Sequence, residues 1–150
     1  MIQRATRARQ SGDARRPMTV LVADDSAVMR AMIIRTLRLT GLPLGDVHEA
    51  ADGATGLRIL TRGRIELALV DINMPALDGL EMLARSRRPA RGRPRGAGAR
   101  PAVIVVSSDG SDARAAEVLR LGHGFLHKPF APEELRDAVL RVLGEESDDR

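Results

Sequence analysis

Carboxylate side chains stand at the ends of two short apolar runs in this sequence. Asp24 and Asp25 follow one run, and Asp71 closes another. A carboxylate can ligate a hard cation or attack a phosphoryl group as a nucleophile. The structural alternative is that Asp71 only caps the turn that follows it.

Two other polar side chains end apolar runs in the same way. Ser107 follows residues 102–106, and Lys128 follows residues 125–127. A serine hydroxyl can hydrogen-bond a phosphoryl oxygen, and an ammonium group can neutralise one. Lys128 is the only lysine among 24 basic residues, in a chain that otherwise uses arginine. This exception indicates a position that requires a compact ammonium rather than a planar guanidinium.

The apolar runs predict short strands that are buried on both faces. Each run is followed by a segment with helical spacing of apolar residues, and Ser, Pro or acidic residues mark several helix starts. The predicted strands are 18–23, 47–50, 67–71, 102–106 and 125–127. The predicted helices run from Ser26 to Gly41, around 56–60, from Asp78-Gly79 through Leu83, over 111–121, and from Pro132 to Leu143.

Strands that alternate with helices form a parallel sheet with helices on both faces. The carboxyl ends of parallel strands lie along one edge, so the polar side chains that end the runs should meet there. Three carboxylates in one pocket repel each other unless a cation neutralises them, and oxygen ligands suit Mg²⁺. The sequence therefore predicts a magnesium site at which one carboxylate attacks a phosphoryl group.

The composition excludes several classes of protein. The chain has 150 residues, enough for one domain with a hydrophobic core, and it has no cysteine for disulfides or thiolate metal sites. It has no apolar run near the roughly 20 residues that span a bilayer, so we expect no membrane insertion. The N-terminus lacks the apolar region of a secretory signal, and we expect a cytoplasmic protein.

Arginine is concentrated in two segments without hydrophobic periodicity. Residues 1–16 hold five Arg, and residues 85–100 hold seven Arg and no acidic residue. We predict a disordered arm at 1–17, one domain at 18–145 with an Arg/Pro/Gly-rich loop at 85–100, and a tail at 146–150. The two segments are expected to be solvated; contact with nucleic acid is the alternative, and the scarcity of aromatic residues disfavours it.

Four segments of the chain resemble the signature segments of two-component receiver domains. They are VLVADDSAVMR, LALVDINMPALDGLEML, VIVVSS and GFLHKPF, and they occur in the expected order. The resemblance covers about residues 18–144, and the first segment is similar to receivers of the chemotaxis type. It implies a doubly wound, flavodoxin-like sheet of five parallel strands in the order 2-1-3-4-5.

The resemblance implies a role for each residue at the predicted site. Asp71 corresponds to the phosphoacceptor, and Lys128 to the lysine paired with it. Asp24 and Asp25 correspond to the acidic pair that binds Mg²⁺ together with Asp71. Asn73 corresponds to the residue whose backbone carbonyl completes the protein ligands.

Two further positions correspond to residues of the receiver switch. Ser107 matches the serine or threonine that turns toward the phosphoryl group, and Phe125 matches the aromatic switch position. An aromatic residue at a strand end is also commonly part of the core, so both interpretations of Phe125 stay open. His48, His123 and His127 lack ligand spacing and are expected to be structural.

The function implied is that of a stand-alone response regulator. A sensor histidine kinase or a histidine phosphotransfer protein would phosphorylate Asp71, and the signal would pass to an unidentified protein in chemotaxis or motility control. We expect no enzymatic activity beyond phosphorylation and dephosphorylation of the chain itself. The alternatives are a phosphorelay shuttle, a nucleic-acid-associated regulator that uses the Arg-rich segments, and a small hydrolase with an aspartyl nucleophile.

Overall fold

Strands and helices alternate along the chain as the apolar runs predict. A computed structural model describes residues 17–62, 64–72, 74, 79–86, 101–108, 112–120 and 123–144. Its strands are β1 (Met18–Ala23), β2 (Leu44–Ala50), β3 (Leu67–Asp71), β4 (Ala102–Ser107) and β5 (Gly124–His127). Its helices are α1 (Ala27–Leu39), α2 (Gly53–Arg62), α3 (Gly79–Ser86), α4 (Asp112–Arg120) and α5 (Pro132–Val142).

The strands form one parallel sheet in the order β2-β1-β3-β4-β5, which confirms the predicted fold class. β3 lies at the centre between β1 and β4, and all five of its residues are buried. The chain order reverses between β1 and β3, because β2 lies outside β1 and β4 lies beyond β3. In open α/β sheets, binding sites lie at the carboxyl ends of strands at such a point.

Helices cover both faces of the sheet, and each face has its own hydrophobic core. On one face, Leu21 and Val70 pack with buried side chains of α2, α3 and α4. On the other, Val22 and Leu69 pack with buried side chains of α1 and α5. Successive residues of β1 and β3 thus point to opposite cores, which explains why these strands read as continuous apolar runs.

β2 begins at Leu44, three residues before the predicted start at Val47. It is an edge strand, and its burial pattern is mostly exposed or half-buried. Leu44 packs against the core on the α1 and α5 side, but Gly45 and Asp46 separate it from Val47 and interrupt the apolar pattern in the sequence. Its pairing with β1 is also irregular, since the register shifts between Met18 and Val20.

Two helix ends depend on polar side chains rather than on the apolar pattern. Ser26 caps α1, as predicted, and its Oγ accepts a hydrogen bond from the Met29 amide at 3.1 Å. α3 continues through Ser86, so its last two residues belong to a helix and not to the predicted Arg-rich loop. Arg85 forms an ion pair with Glu81 one turn earlier at 2.9 Å, which favours this extra turn.

Several predicted segments lie outside the described residues. They are the arm at 1–16, the loop residues 87–100, the tail at 146–150, Asp78, Ser111 and Leu121. Within the described part of the chain, none of the helices has the length and apolar character that crossing a bilayer requires.

A carboxylate also marks the start of α2. Asp52 immediately precedes this helix, and its Oδ1 accepts a hydrogen bond from the Thr55 amide at 2.7 Å. This backbone hydrogen bond lowers the pKa of Asp52, with smaller contributions from the Thr55 hydroxyl and the Arg58 charge. The carboxylate form is stabilised because it accepts an N–H group that the helix itself leaves without an intrahelical partner.

Candidate functional site

The two acidic residues after β1 differ in burial. Asp24 is 1% exposed, whereas Asp25 is exposed. The Asp24 amide donates to the carbonyl of Ala50 at 3.0 Å, and Asp24 Oδ1 accepts from the Ser26 amide at 2.9 Å. The Asp24 side chain is therefore fixed at the carboxyl end of β1, directly before α1.

Asp71 lies at the carboxyl end of β3, beside the end of β1. It is 7% exposed and pairs in register with Val106 of β4. The first residue of α3, Gly79, approaches its backbone closely. A Cβ atom at Gly79 would lie 2.5 Å from the carbonyl oxygen of Asp71 and 2.8 Å from Val70 Cγ1. Only glycine fits here, so the start of α3 helps to fix Asp71.

Lys128 follows β5 and connects the carboxylates of β1 and β3. Its amide donates to the carbonyl of Ser107 at 2.9 Å, which directs the chain over the end of the sheet. Its Nζ lies 3.1 Å from Asp24 Oδ2 and 3.8 Å from Asp71 Oδ2. The resemblance implies a pairing with Asp71; the structure gives that pairing and a shorter one with Asp24.

Asp24, Asp25 and Asp71 form one cluster, which we call the acid cluster. A carboxylate oxygen from each lies within 4.8 Å of those of the other two. Two of the three residues are buried, so water screens their mutual repulsion poorly, and Lys128 supplies a single positive charge. The cluster therefore fits a divalent cation, because it combines hard oxygen donors with excess negative charge.

The remaining predicted residues occupy different positions relative to the acid cluster. Ser107 is fully buried at the end of β4, the neighbour of β3. Phe125 is half-buried and packs against the core on the α2–α4 side, and its register partner is Val105. Phe125 thus packs against a core without being buried in it, and its switch role stays a prediction. Asn73 lies outside the described residues.

The three histidines do not share an environment. His123 is buried, and its amide donates to the carbonyl of Val118 at 3.2 Å. His48 and His127 are exposed. None of the three belongs to the group of potential metal ligands found among the described residues.

One further side chain, that of Arg30, contacts a residue of the acid cluster. Arg30, in the first turn of α1, directs its side chain back to the end of β1 and donates to the carbonyl of Asp24 at 2.7 Å. α1 also contains Arg35 and Arg38, and the sequence alone does not distinguish Arg30 from them.

The sequence model of the response regulator receiver domain family matches residues 20–140. This match includes all residues of the acid cluster as well as Lys128. The chain belongs to this family. The receiver domain is therefore a phosphorylation-activated regulator of two-component signalling, and its acidic cluster is consistent with the binding of a metal ion.

Three proteins illustrate what this receiver domain is similar to. A chemotaxis protein CheY homolog of Campylobacter jejuni is 33% identical over 131 residues, covering 85% of this chain and 93% of the relative. The transcriptional regulatory protein PrrA of Mycobacterium tuberculosis is 37% identical over 125 residues, covering 83% of this chain and 49% of the relative.

The third is a solved structure, the receiver domain of a sensor histidine kinase from Pseudomonas aeruginosa. It is 27% identical, has a TM-score of 0.67, and the match covers 85% of this chain and 98% of that one. That structure has a magnesium ion coordinated in its active-site cleft.

Proposed function

We propose that Asp71 accepts a phosphoryl group from the phosphohistidine of a sensor histidine kinase or a histidine phosphotransfer protein. The observation that carries this proposal is the position of Lys128 Nζ, within 3.1 Å of Asp24 Oδ2 and 3.8 Å of Asp71 Oδ2. A cation that touches two carboxylates can move toward a third anionic group. A phosphoryl group on Asp71 would be such a group.

The transfer replaces one bond to phosphorus by another. A carboxylate oxygen of Asp71 bonds to the phosphorus while the phosphorus–nitrogen bond to the histidine ring breaks. The electron pair of that bond stays on the ring nitrogen, and the histidine leaves as a neutral imidazole whose other nitrogen already carries a proton. The Lys128 ammonium is placed to neutralise a phosphoryl oxygen. We assign the Ser107 hydroxyl to a second phosphoryl oxygen, because Ser107 ends the strand next to β3.

We propose that the divalent cation of the acid cluster is Mg²⁺, held by Asp24, Asp25, Asp71 and the backbone carbonyl of Asn73. When bound, Mg²⁺ neutralises the charge that spreads over the phosphoryl oxygens during transfer. The support consists of the oxygen-only donor set, the charge of the cluster and the likeness to a receiver structure that contains magnesium.

The exposed face of α1 supports a protein as phosphodonor. Val28, Met32 and Leu39 are 69%, 53% and 63% exposed, and their spacing places them on one side of the helix. Exposed apolar patches on soluble domains commonly mark protein interfaces. Since α1 begins three residues after Asp24, a donor protein on this face would bring its phosphohistidine close to Asp71.

We propose that the phosphorylated protein signals through protein contacts in chemotaxis or motility control, in the cytoplasm. The chemotaxis relative from Campylobacter jejuni is matched over 93% of its length, whereas PrrA is matched over only 49%. We further propose that the chain catalyses only its own phosphorylation and dephosphorylation. Steady hydrolysis of a small phosphoester would instead identify a hydrolase, and transfer to a second histidine protein would identify a phosphorelay shuttle.

The test is to incubate the protein with Mg²⁺ and phosphoramidate, trap the acyl phosphate by borohydride reduction, and locate it by mass spectrometry. We expect one modified residue, Asp71, and no modification without Mg²⁺. Asp71→Asn should abolish the label, whereas Asp137→Asn, at an exposed position of α5, should leave it unchanged. Full labelling of the Asp71→Asn variant would contradict the proposal.

A further inference from the structure

We infer that Arg30 is a positioning residue for the acid cluster, an inference that rests on the proposed function of that cluster as a Mg²⁺ site. Arg30 is not itself a ligand, because its guanidinium is positive. It acts through the backbone of the two residues that follow β1.

Arg30 joins three elements through two hydrogen bonds. One terminal guanidinium nitrogen donates to the carbonyl of Asp24 at 2.7 Å, and its Nε donates to Glu49 Oε1 of β2 at 2.8 Å. The Arg30 side chain is only 15% exposed, whereas that of Glu49 is 49% exposed. A side chain in the first turn of α1 thus connects the end of β1 to the edge strand β2.

The hydrogen bond to Asp24 completes the contacts of that residue. The Asp24 amide is bonded to Ala50, its Oδ1 to the Ser26 amide, and its Oδ2 to Lys128. Its carbonyl oxygen is bonded to Arg30. Every polar atom of Asp24 therefore has a partner, and Arg30 is the partner of its carbonyl oxygen.

This carbonyl matters because it belongs to the peptide group that joins Asp24 to Asp25. A peptide group is planar, so a partner that fixes the carbonyl oxygen also fixes the nitrogen and Cα of the next residue. Asp25 is exposed, and packing contributes little to its orientation. Arg30 thus determines the direction from which the Asp25 carboxylate enters the acid cluster.

A guanidinium suits this role better than an ammonium. Its nitrogens form a rigid fork that donates to two acceptors in different directions at once. A lysine at position 30 would carry one compact ammonium on a flexible stem. It could bond the carbonyl of Asp24 or the carboxylate of Glu49, but it would not hold both in a fixed geometry.

The sign of the effect on Mg²⁺ affinity separates positioning from simple electrostatics. Replacing Arg30 with methionine removes a positive charge that contacts the carbonyl of Asp24, and the Coulomb effect alone would strengthen Mg²⁺ binding. The loss of the hydrogen bond to Asp24 has the opposite consequence, since it loosens the ligand geometry. Loss of groups that orient metal ligands weakens metal affinity by about tenfold or more.

The experiment compares Arg30→Met with Arg35→Met, a matched control on the exposed side of the same helix. Calorimetric titration with Mg²⁺ alone should give a dissociation constant about tenfold higher for Arg30→Met and nearly unchanged for Arg35→Met. Arg30→Lys should recover part of the affinity. Glu49→Gln, which keeps an oxygen acceptor, should lose less than Arg30→Met.

A second readout needs neither metal nor phosphorylation. In the metal-free protein, the Ser26 amide is bonded to Asp24 Oδ1, and its hydrogen exchange reports the order of this turn. We expect faster exchange at Ser26 in Arg30→Met, with unchanged exchange in the core of β1. A purely structural role of Arg30 would raise exchange throughout β1 and leave the Mg²⁺ affinity of the folded protein unchanged.

The outcomes separate this inference from the proposed function. If Arg30→Met binds Mg²⁺ as tightly as the wild type or more tightly, or if Arg35→Met is equally impaired, the positioning role is wrong. If the wild type binds no Mg²⁺ but the Ser26 amide still loses protection in Arg30→Met, the proposed metal site fails while Arg30 keeps its role in ordering the turn.

Discussion

Replacement of Lys128 with methionine removes the positive charge that lies between the Asp24 and Asp71 carboxylates. The Lys128 Nζ atom lies 3.1 Å from Asp24 Oδ2 and 3.8 Å from Asp71 Oδ2, and its side chain is 11% exposed. At an effective dielectric constant of about 20, these distances correspond to attractions of about 5 and 4 kcal/mol. The desolvation of the ammonium offsets part of this attraction.

The net loss of stability should therefore be smaller than the sum of the two attractions. Removing one partner of a buried ion pair typically lowers the free energy of unfolding by about 3–5 kcal/mol, because the remaining charge is left buried without compensation. We expect a loss in this range for Lys128→Met in the absence of divalent metal. Urea unfolding in the presence of EDTA measures it directly.

Mg²⁺ should recover part of this loss. A divalent cation replaces the missing charge, so the variant should bind Mg²⁺ more tightly than the wild type and gain more stability from it. A tenfold gain in affinity corresponds to about 1.4 kcal/mol of additional stabilisation at saturating Mg²⁺. The unfolding curves of both proteins should accordingly approach each other when Mg²⁺ replaces EDTA.

Two results would refute this reasoning. If the free energy of unfolding in EDTA falls by less than about 1 kcal/mol, the ion pairs of Lys128 contribute no more to stability than pairs at the surface. An equal stabilisation of both proteins by Mg²⁺ would show that the ammonium and the metal do not neutralise the same carboxylates. Arg35→Met, an exposed cation on α1, serves as the control for loss of one positive charge.

Four further predictions follow from single positions. Lys128→Arg keeps the charge but has a wider head group; we expect it to fold and bind Mg²⁺ within several-fold of wild type, yet to lose most of the NMR shift changes that phosphorylation causes. Gly79→Ala should lower the free energy of unfolding by about 1–3 kcal/mol and slow phosphoramidate labelling, because its Cβ would meet backbone. Gly56→Ala, whose Cβ meets the flexible end of a methionine, should leave labelling unchanged. The lowered pKa of Asp52 means that its contribution to stability is complete above its unfolded pKa of about 3.9 and is lost as the pH falls through the folded value. Asp52→Asn should therefore flatten the acid limb of a plot of Tm against pH, and an unaltered limb would contradict this. Met32→Glu should reduce phosphotransfer from a kinase at least about tenfold while labelling by phosphoramidate stays the same, and equal loss with both donors would argue against docking on α1.

The sequence alone determined the architecture and most of the site. Strands buried on both faces must be continuously apolar, so β1, β3 and β4 could be recognised without any tertiary information. Their alternation with helices required a parallel sheet, and a parallel sheet brings the carboxyl ends of its strands to one edge. Asp24, Asp25, Asp71, Ser107 and Lys128 followed from that topology.

The apolar pattern was insufficient where an element begins or ends without apolar residues. The predicted start of β2 was wrong because this edge strand is half solvated, and Gly45 and Asp46 separate the apolar Leu44 from Val47. The predicted end of α3 was wrong because its last turn carries an ion pair between Arg85 and Glu81 rather than apolar residues. In both cases the deciding interactions are polar or involve the backbone, and neither produces hydrophobic periodicity.

Only the tertiary structure decided how the side chains of the site are paired. Lys128 and Asp24 are 104 positions apart, and whether the ammonium lies nearer to Asp24 or to Asp71 depends on differences of less than 1 Å. Arg30 and Glu49 come together because β2 pairs with β1, and α1 begins just after the carboxyl end of β1. Residue types and spacing fix which groups reach an edge of a sheet, whereas distances and hydrogen-bond partners are fixed by how the elements pack.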